Sequence, residues 1–298
     1  MIRILSDLHW GHKASRITDI DSLRPLISDI DTVIFNGDTV EQKFEDSPAH
    51  LKHPLPPISQ LKDKVAEWNS KAILITGNHD PGISNAHYCE LNQKDIIVTH
   101  GDAIFDSIAP WSVNAQVLRQ LVQKGLTKFE ASEQSSSFYH FLKVFKEASL
   151  EEHAILKDYD PTVWGKIQIF ARQAWPPTRA LKVLECWNEA AKSAVEMVRR
   201  FNLSPQFLII GHTHKPNVSK VGKTTVINTG AFLPWPGATA VDIESDGISV
   251  RKVEYRAGQF RTARIIAQFK TAVDLDSLAI PVETVQLARP PIESPFSA

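Results

Sequence analysis

The sequence predicts an α/β fold: a two-sheet sandwich flanked by helices, with an α-helical insertion and a β-rich C-terminal part. Three observations predict it. Short apolar runs alternate with helical periodicities over residues 1–105. Residues 108–202 carry several helical patterns and few strand signals. From Gln206 the chain returns to short strands separated by turn residues. Alternation of the first kind argues for a partly parallel sheet with helices outside it.

Taken in order, residues 2–5 read as a buried strand. Ile20, Leu23, Ile27 and Ile30 recur at helical spacing. Residues 33–35 are the next strand, and 41–57 a polar, proline-bearing loop. Ile58, Leu61, Val65 and Trp68 mark one face of a helix. Residues 72–75 and 96–98 are further strands. In the middle, 113–124 reads as a helix stopped by Gly125. Residues 135–150 read as another, with Phe138, Phe141, Leu142 and Phe145 on one face and serines as caps. Asp160-Pro161 opens a third, through Arg172, since proline suits the first helical position. Pro176-Pro177-Thr178 opens the longest, with Leu181, Leu184, Trp187, Ala191, Ala194 and Val198 on one stripe. Residues 207–210 are a strand. Residues 218–221 and 224–227 flank Gly222-Lys223 as a hairpin, and 238–243 and 248–255 form a second. The two hairpins suggest a sheet layered on the first. Residues after Gln259 are ambiguous, and Arg289 to Pro295 reads as a loose tail. The expected organisation is a core of 1–107 and 203–256, an inserted cap of 108–202 and an extension of 257–298.

The chain has 298 residues, 43% hydrophobic and 22% charged, with a formal net charge of −1. That balance gives no global pull toward nucleic acid or anionic lipid. Two cysteines, Cys89 and Cys186, are too few for a disulfide framework and read as small core residues. No leader precedes the first strand and no apolar run has the length of a membrane span. A cytoplasmic location is the expectation.

Ligand-type residues follow five of the apolar runs: Asp7-Leu8-His9, Gly37-Asp38-Thr39-Val40-Glu41, Gly77-Asn78-His79-Asp80, His100-Gly101-Asp102 and Gly211-His212-Thr213-His214. Polar residues just past buried strands converge on one edge of an open α/β sheet. A lone Asp7-x-His9 reads as a turn feature, and a lone His100 as a hydrogen-bonded loop residue. Jointly, two aspartates, an asparagine and four histidines, with no thiolate, make the ligand list of a hard-to-borderline two-metal site.

In this order the motifs resemble the calcineurin-like metallophosphoesterases, over residues 1–105 and 206–255. The resemblance implies two divalent metal ions (Mn, Fe, Zn, Ni or Co). Asp38 would bridge them, with Asp7, His9 and His214 completing one site and Asn78, His100 and His212 the other. It implies in-line attack on phosphorus by hydroxide held between the metals. His79 would act at the leaving group and not on metal, with Asp80 orienting its imidazole. Glu41 and Asp102 are expected in hydrogen bonds around the ligands. The expected substrate is a small-molecule or lipid-like phosphoester or phosphoanhydride. The alternatives are a pyrophosphatase acting on UDP-2,3-diacylglucosamine, a phosphodiesterase or nuclease, and a non-catalytic scaffold on the same fold. The chain departs from the UDP-diacylglucosamine subgroup at His79, where that subgroup usually carries arginine.

Nucleic acid is not the expected substrate, since the insertion carries charges of mixed sign and no dense basic track. Lys124, Lys128, Lys143 and Lys146 read as a solvated face. His12, His50, His53, His87, His140 and His153 fit no motif. Trp10 is either core packing or a site wall. The apolar stripes of the insertion, with Phe138, Phe141, Phe145, Trp175 and Trp187, read as helix-packing core, with a ligand groove in helices roofing the site as the alternative. Asn228-Thr229-Gly230 reads as a turn at the rim.

Overall fold

The structure is a computed structural model that describes residues 1–44, 58–157 and 178–283. The strands are β1 (Ile2–Leu5), β2 (Thr32–Asn36), β3 (Lys71–Ile75), β4 (Tyr88–Leu91), β5 (Ile96–Thr99), β6 (Phe207–Ile210), β7 (Asn217–Val221), β8 (Thr224–Asn228), β9 (Thr239–Glu244), β10 (Gly247–Arg256) and β11 (Gln259–Lys270). The α-helices are α1 (Arg24–Ile27), α2 (Ile58–Glu67), α3 (Ala115–Glu130), α4 (Phe138–Lys157) and α5 (Thr178–Arg199).

Two mixed sheets form. The first has the order β11-β10-β9-β1-β2-β3, with β1, β2 and β3 parallel. The second has the order β4-β5-β6-β8-β7, with β5, β6 and β8 parallel. Alternate side chains of a strand point to opposite faces, so a strand covered on both faces reads as a continuous apolar run. Ile4, Ile34, Ile73 and Ile75 of the first sheet meet Ile96, Val98, Phe207 and Ile209 of the second in one buried layer. Leu5, Val33, Phe35 and Leu74 point the other way, onto α1 and α2 through Leu26, Leu61 and Val65. Ile97, Leu208 and Ile210 point outward onto α3, α4 and α5 through Leu118, Leu142, Phe145 and Val195. The order of layers is therefore helix, sheet, sheet, helix.

The helices of the middle segment share this last hydrophobic cluster with the second sheet, so they form its outer layer. Phe138, Phe141 and Phe145 pack there, while Trp175 lies outside the described residues. Gly125 does not stop α3, which runs to Glu130. A Cβ at Gly125 would stand 2.6 Å from Val144 Cγ1, so the glycine serves the close approach of α3 to α4. The apolar periodicity over 20–30 is split between a 3-10 turn, Ile20–Leu23, and the short α1, with Pro25 at its start. The two C-terminal hairpins do not build one new layer. β7–β8 completes the second sheet, and β9–β10 extends the first. β11, ambiguous in sequence, is the edge strand paired along β10. β4, unread in sequence, pairs antiparallel with β5. Trp10 is buried in the cluster over α1 and α2 and bridges Val40, which settles it as core packing. Cys89 and Cys186 are free and buried. The helix expected over 160–172, most of the loop 41–57, His50, His53 and the tail 289–295 lie outside the described residues. Among the described residues no helix is long and apolar enough to cross a membrane.

Candidate metal centre

The parallel strands of both sheets end on the same side, and the candidate ligands follow those ends. β1 delivers Asp7 and His9, β2 Asp38 and β3 Asn78, while β5 delivers His100 and β6 delivers His212 and His214. The ligand atoms of Asp7, His9, Asp38 and His214 all lie within 4.8 Å of one another, and so do those of Asp38, His100 and His212. Asp38 belongs to both groups, and each group draws on both sheets. Asn78 Oδ1 lies 3.3 Å from His100 Nε2, which places it on the second group.

The backbone is bent to achieve this. Asp7, His9, Asp38, His212 and His214 all have φ between 46° and 66°. That left-handed region is uncommon for residues other than glycine and is held only where the surroundings over-determine it. Here the surroundings are explicit. Asp7 N donates to Gly37 O at 3.1 Å, His9 N to Asp38 O at 2.8 Å and Phe232 N to Asp7 O at 3.0 Å. His212 N donates to both carboxylate oxygens of Asp7 at 3.1 Å. Gly77 has another reason to be glycine: a Cβ there would overlap Asp38 Oδ1 and the Asp38 backbone nitrogen.

Three imidazoles have one nitrogen committed outward. His9 Nδ1 faces Glu41 Oε2 at 3.1 Å, His100 Nδ1 faces Asn36 O at 3.0 Å and His212 Nε2 faces Ile108 O at 2.9 Å. An outward hydrogen bond fixes the tautomer and leaves the other nitrogen for a ligand. The inward atoms crowd together. His9 Nε2 is 3.1 Å from His214 Nε2, His214 Nε2 is 3.3 Å from Asp7 Oδ1, and His100 Nε2 is 3.3 Å from Asp38 Oδ2.

The field of the site attracts cations. Burial opposes a charge on His9, yet Glu41 and Asp38 outweigh it and lift its pKa to about 9. Burial likewise opposes a charge on His100, and Asp38 lifts it to about 10. Burial raises Asp38, but the surrounding histidines, His100 and His79 foremost, hold it well below the usual carboxylate range. His212 is pushed down to about 4, first by burial and then by the charge of His100. Converging nitrogen and carboxylate donors in such a field fit divalent metal ions of the borderline class.

Glu41 is fully enclosed and spans two histidines. Its Oε1 lies 2.6 Å from His79 Nδ1, and its Oε2 meets His9. Asp80, expected to orient His79, does something else. Its Oδ1 accepts from Gly77 N and Asp38 N, and its Oδ2 from Thr39 N and Val40 N. The carboxylate therefore organises the loop backbone around Asp38, and Glu41 takes the place beside His79. Burial first, and then the Asp38 charge, raise Asp80 to about 6.

Other neighbours were not legible as site residues. Lys146, expected on a solvated face, is buried, and its Nζ lies 2.6 Å from each oxygen of Asp102. His153 is buried with Nε2 2.9 Å from Asn78 O. The signal available was a lysine and a histidine seven residues apart on the core-facing side of a helix. Trp111 packs on His212, with ring centroids 5.3 Å apart. Trp187 Nε1 donates to Thr213 O at 2.8 Å. Asn228 Nδ2 holds Gly211 O at 2.7 Å, and Ser6 Oγ contacts Thr229 Oγ1, so the rim turn at 228–230 ties to the loops of Asp7 and His212.

A family model described as calcineurin-like phosphoesterase matches residues 1–216. No curated protein matches the chain. Among solved structures, the chain is similar to a conserved uncharacterized protein of Streptococcus pneumoniae described as a predicted phosphoesterase. That match is 15% identical, covers 91% of this chain and 97% of the other, and has a TM-score of 0.35. Vps29 of Entamoeba histolytica in complex with zinc matches at 12% identity over 90% and 98%, TM-score 0.35. A cold-active protein-tyrosine phosphatase of a Shewanella species matches at 14% identity over 88% and 80%, TM-score 0.37.

Proposed function

The chain belongs to the calcineurin-like phosphoesterase family, and we propose that it is a hydrolase of a phosphoester or phosphoanhydride that works with two divalent metal ions. The observation that carries this reading is the sharing of Asp38 between two groups of converging ligand atoms. Asp7, His9 and His214 would hold one ion with Asp38, and Asn78, His100 and His212 the other. When bound, such a pair lowers the pKa of water and balances the charge of a phosphate.

The chain's own residues do the rest. Asp80 fixes the backbone of residues 38–40, so that Asp38 keeps one orientation. Asn78 faces the ligand cluster, while its neighbour His79 turns to Glu41. With Nδ1 held there, His79 is placed to give a proton from Nε2 to the departing oxygen, a role worth about 10²–10⁴-fold in rate. The completeness of the donor set speaks against a scaffold without activity.

The substrate of this reading is small or lipid-like. The rim supports it. Trp187 stands beside Thr213, Trp235 packs on Trp187 at 5.6 Å and is exposed, and Leu184 and Leu181 continue an exposed apolar line along α5. A net charge of −1 gives no electrostatic footprint for nucleic acid. The experiment is elemental analysis of protein prepared with Mn, Zn or Co, followed by hydrolysis assays. The assays compare aryl phosphates, phosphodiesters, nucleotide pyrophosphates and a single-stranded oligonucleotide. Absence of divalent metal, or of any hydrolysis by loaded protein, would count against the reading.

A further inference from the structure

The inward face of α4, apolar at Phe138, Leu142 and Phe145, also carries polar residues where packing alone would call for apolar ones. Lys146, Glu152 and His153 are all buried there. Their spacing of i, i+6 and i+7 puts them within about 120° of the helix circumference, at about 100° per residue. Each reaches a different segment that carries candidate ligands. Lys146 Nζ holds both oxygens of Asp102, two residues after His100. Glu152 Oε2 lies 2.8 Å from Lys43 Nζ, on the segment that follows Asp38 and Glu41. His153 Nε2 lies 2.9 Å from the carbonyl of Asn78. Asn114 Nδ2 secures the second oxygen of Glu152 at 3.0 Å.

We propose that α4 is the positioning element of the metal centre: Lys146, Glu152 and His153 set the three segments that present His100, Asp38 and Asn78. The inference rests on the metal-dependent reading above and deepens it. The contacts are balanced in charge, one lysine on a carboxylate, one glutamate on a lysine and one imidazole on a neutral carbonyl. Their effect on the site is therefore geometric. A buried ion pair is not needed for stability, since an apolar pair of the same volume is often as good. What apolar residues cannot do is grip a particular carbonyl or carboxylate and hold its loop in one register. Lys43 extends the grip, because its backbone N–H donates to His79 O at 3.1 Å, so the segment gripped by Glu152 is itself tied to the segment gripped by His153.

The test is titration of the intact protein with Co²⁺, read by the visible absorption of the bound ion, which reports coordination geometry without any substrate. His153→Phe removes the grip on Asn78 and fills the same space. It is expected to weaken Co²⁺ binding by about 10–100-fold, the usual cost of losing a partner outside the ligand shell, and to change the spectrum. His153→Gln, which keeps an N–H donor, is expected to restore most of the affinity. Lys43→Gln, at the less buried end of its contact, is the second variant should His153→Phe not fold, with a smaller loss and a changed spectrum expected. Wild-type affinity and spectrum in folded His153→Phe, or in Lys43→Gln if the former does not fold, would overturn the inference alone. An equal loss in His153→Gln and His153→Phe would also overturn it, pointing to packing. Wild-type protein that takes up no Co²⁺ would remove the metal reading and this inference together.

Discussion

Glu41 Oε1 stands 2.6 Å from His79 Nδ1 in a site where Glu41 has no exposure to solvent. The other oxygen of the same carboxylate meets His9. One buried acid thus connects His79 to His9, one of the converging ligand-type residues.

Glu41→Gln keeps the shape and removes the charge. We expect kcat to fall by about 10–100-fold. Steady-state kinetics with elemental analysis on the same preparations checks this, and an unchanged kcat would remove Glu41 from the proposed machinery.

His79→Ala should leave metal content near normal and lower kcat by about 10²–10⁴-fold. The loss should shrink for a good leaving group such as p-nitrophenol, which departs with little protonation. Equal losses for good and poor leaving groups would assign His79 to positioning.

Asp38→Ala should lose much of both ions, because the side chain stands in both ligand groups. Gly77→Ala should do the same from outside the ligand set, since its Cβ would overlap Asp38. Metal analysis of both, with circular dichroism to confirm folding, reads the outcome. Full metal content in either would contradict the assignment of Asp38.

His87 gives a pH dependence away from the ligands. Burial, and then the charge of Lys146, push it down to about 3. A native pKa below the unfolded value means that the unfolded chain takes the proton first. Its contribution is complete above about pH 6.5 and is lost as pH falls toward about 3, by up to about 1.4 kcal/mol per pH unit. Carboxylates held low add their losses only nearer about pH 4. Urea unfolding across this window should show a shallower fall for His87→Gln than for wild type. Parallel slopes would sink the prediction.

Much of the fold was legible because both-face burial writes itself as apolar runs. β1, β2, β3, β5 and β6 were readable that way, and the residues after them are those brought together in space. Sheet membership was not legible. Nothing local to Thr224 or Thr239 says that one hairpin joins the second sheet and the next joins the first. Gly125 misled because a glycine inside a helix and a glycine ending one look alike until the neighbouring helix is known. Asp80 misled because adjacency to His79 in sequence is not adjacency of side chains, and a carboxylate in a tight loop is claimed first by backbone N–H groups. Lys146 was misread because a lysine buried against an aspartate forty-four residues away leaves no local mark.

The two ligand groups that share Asp38 each take residues from both sheets. The open end of the sandwich is thus a clasp, and any ion seated there fastens one sheet to the other. Loading should stiffen that end more than the far end and raise the unfolding midpoint with ion concentration, by about 2.7 kcal/mol at a hundredfold excess over the dissociation constant. The same geometry runs in reverse: whatever spreads the two sheets apart at that end lengthens distances in both groups at once, so the centre would be made or lost as a unit.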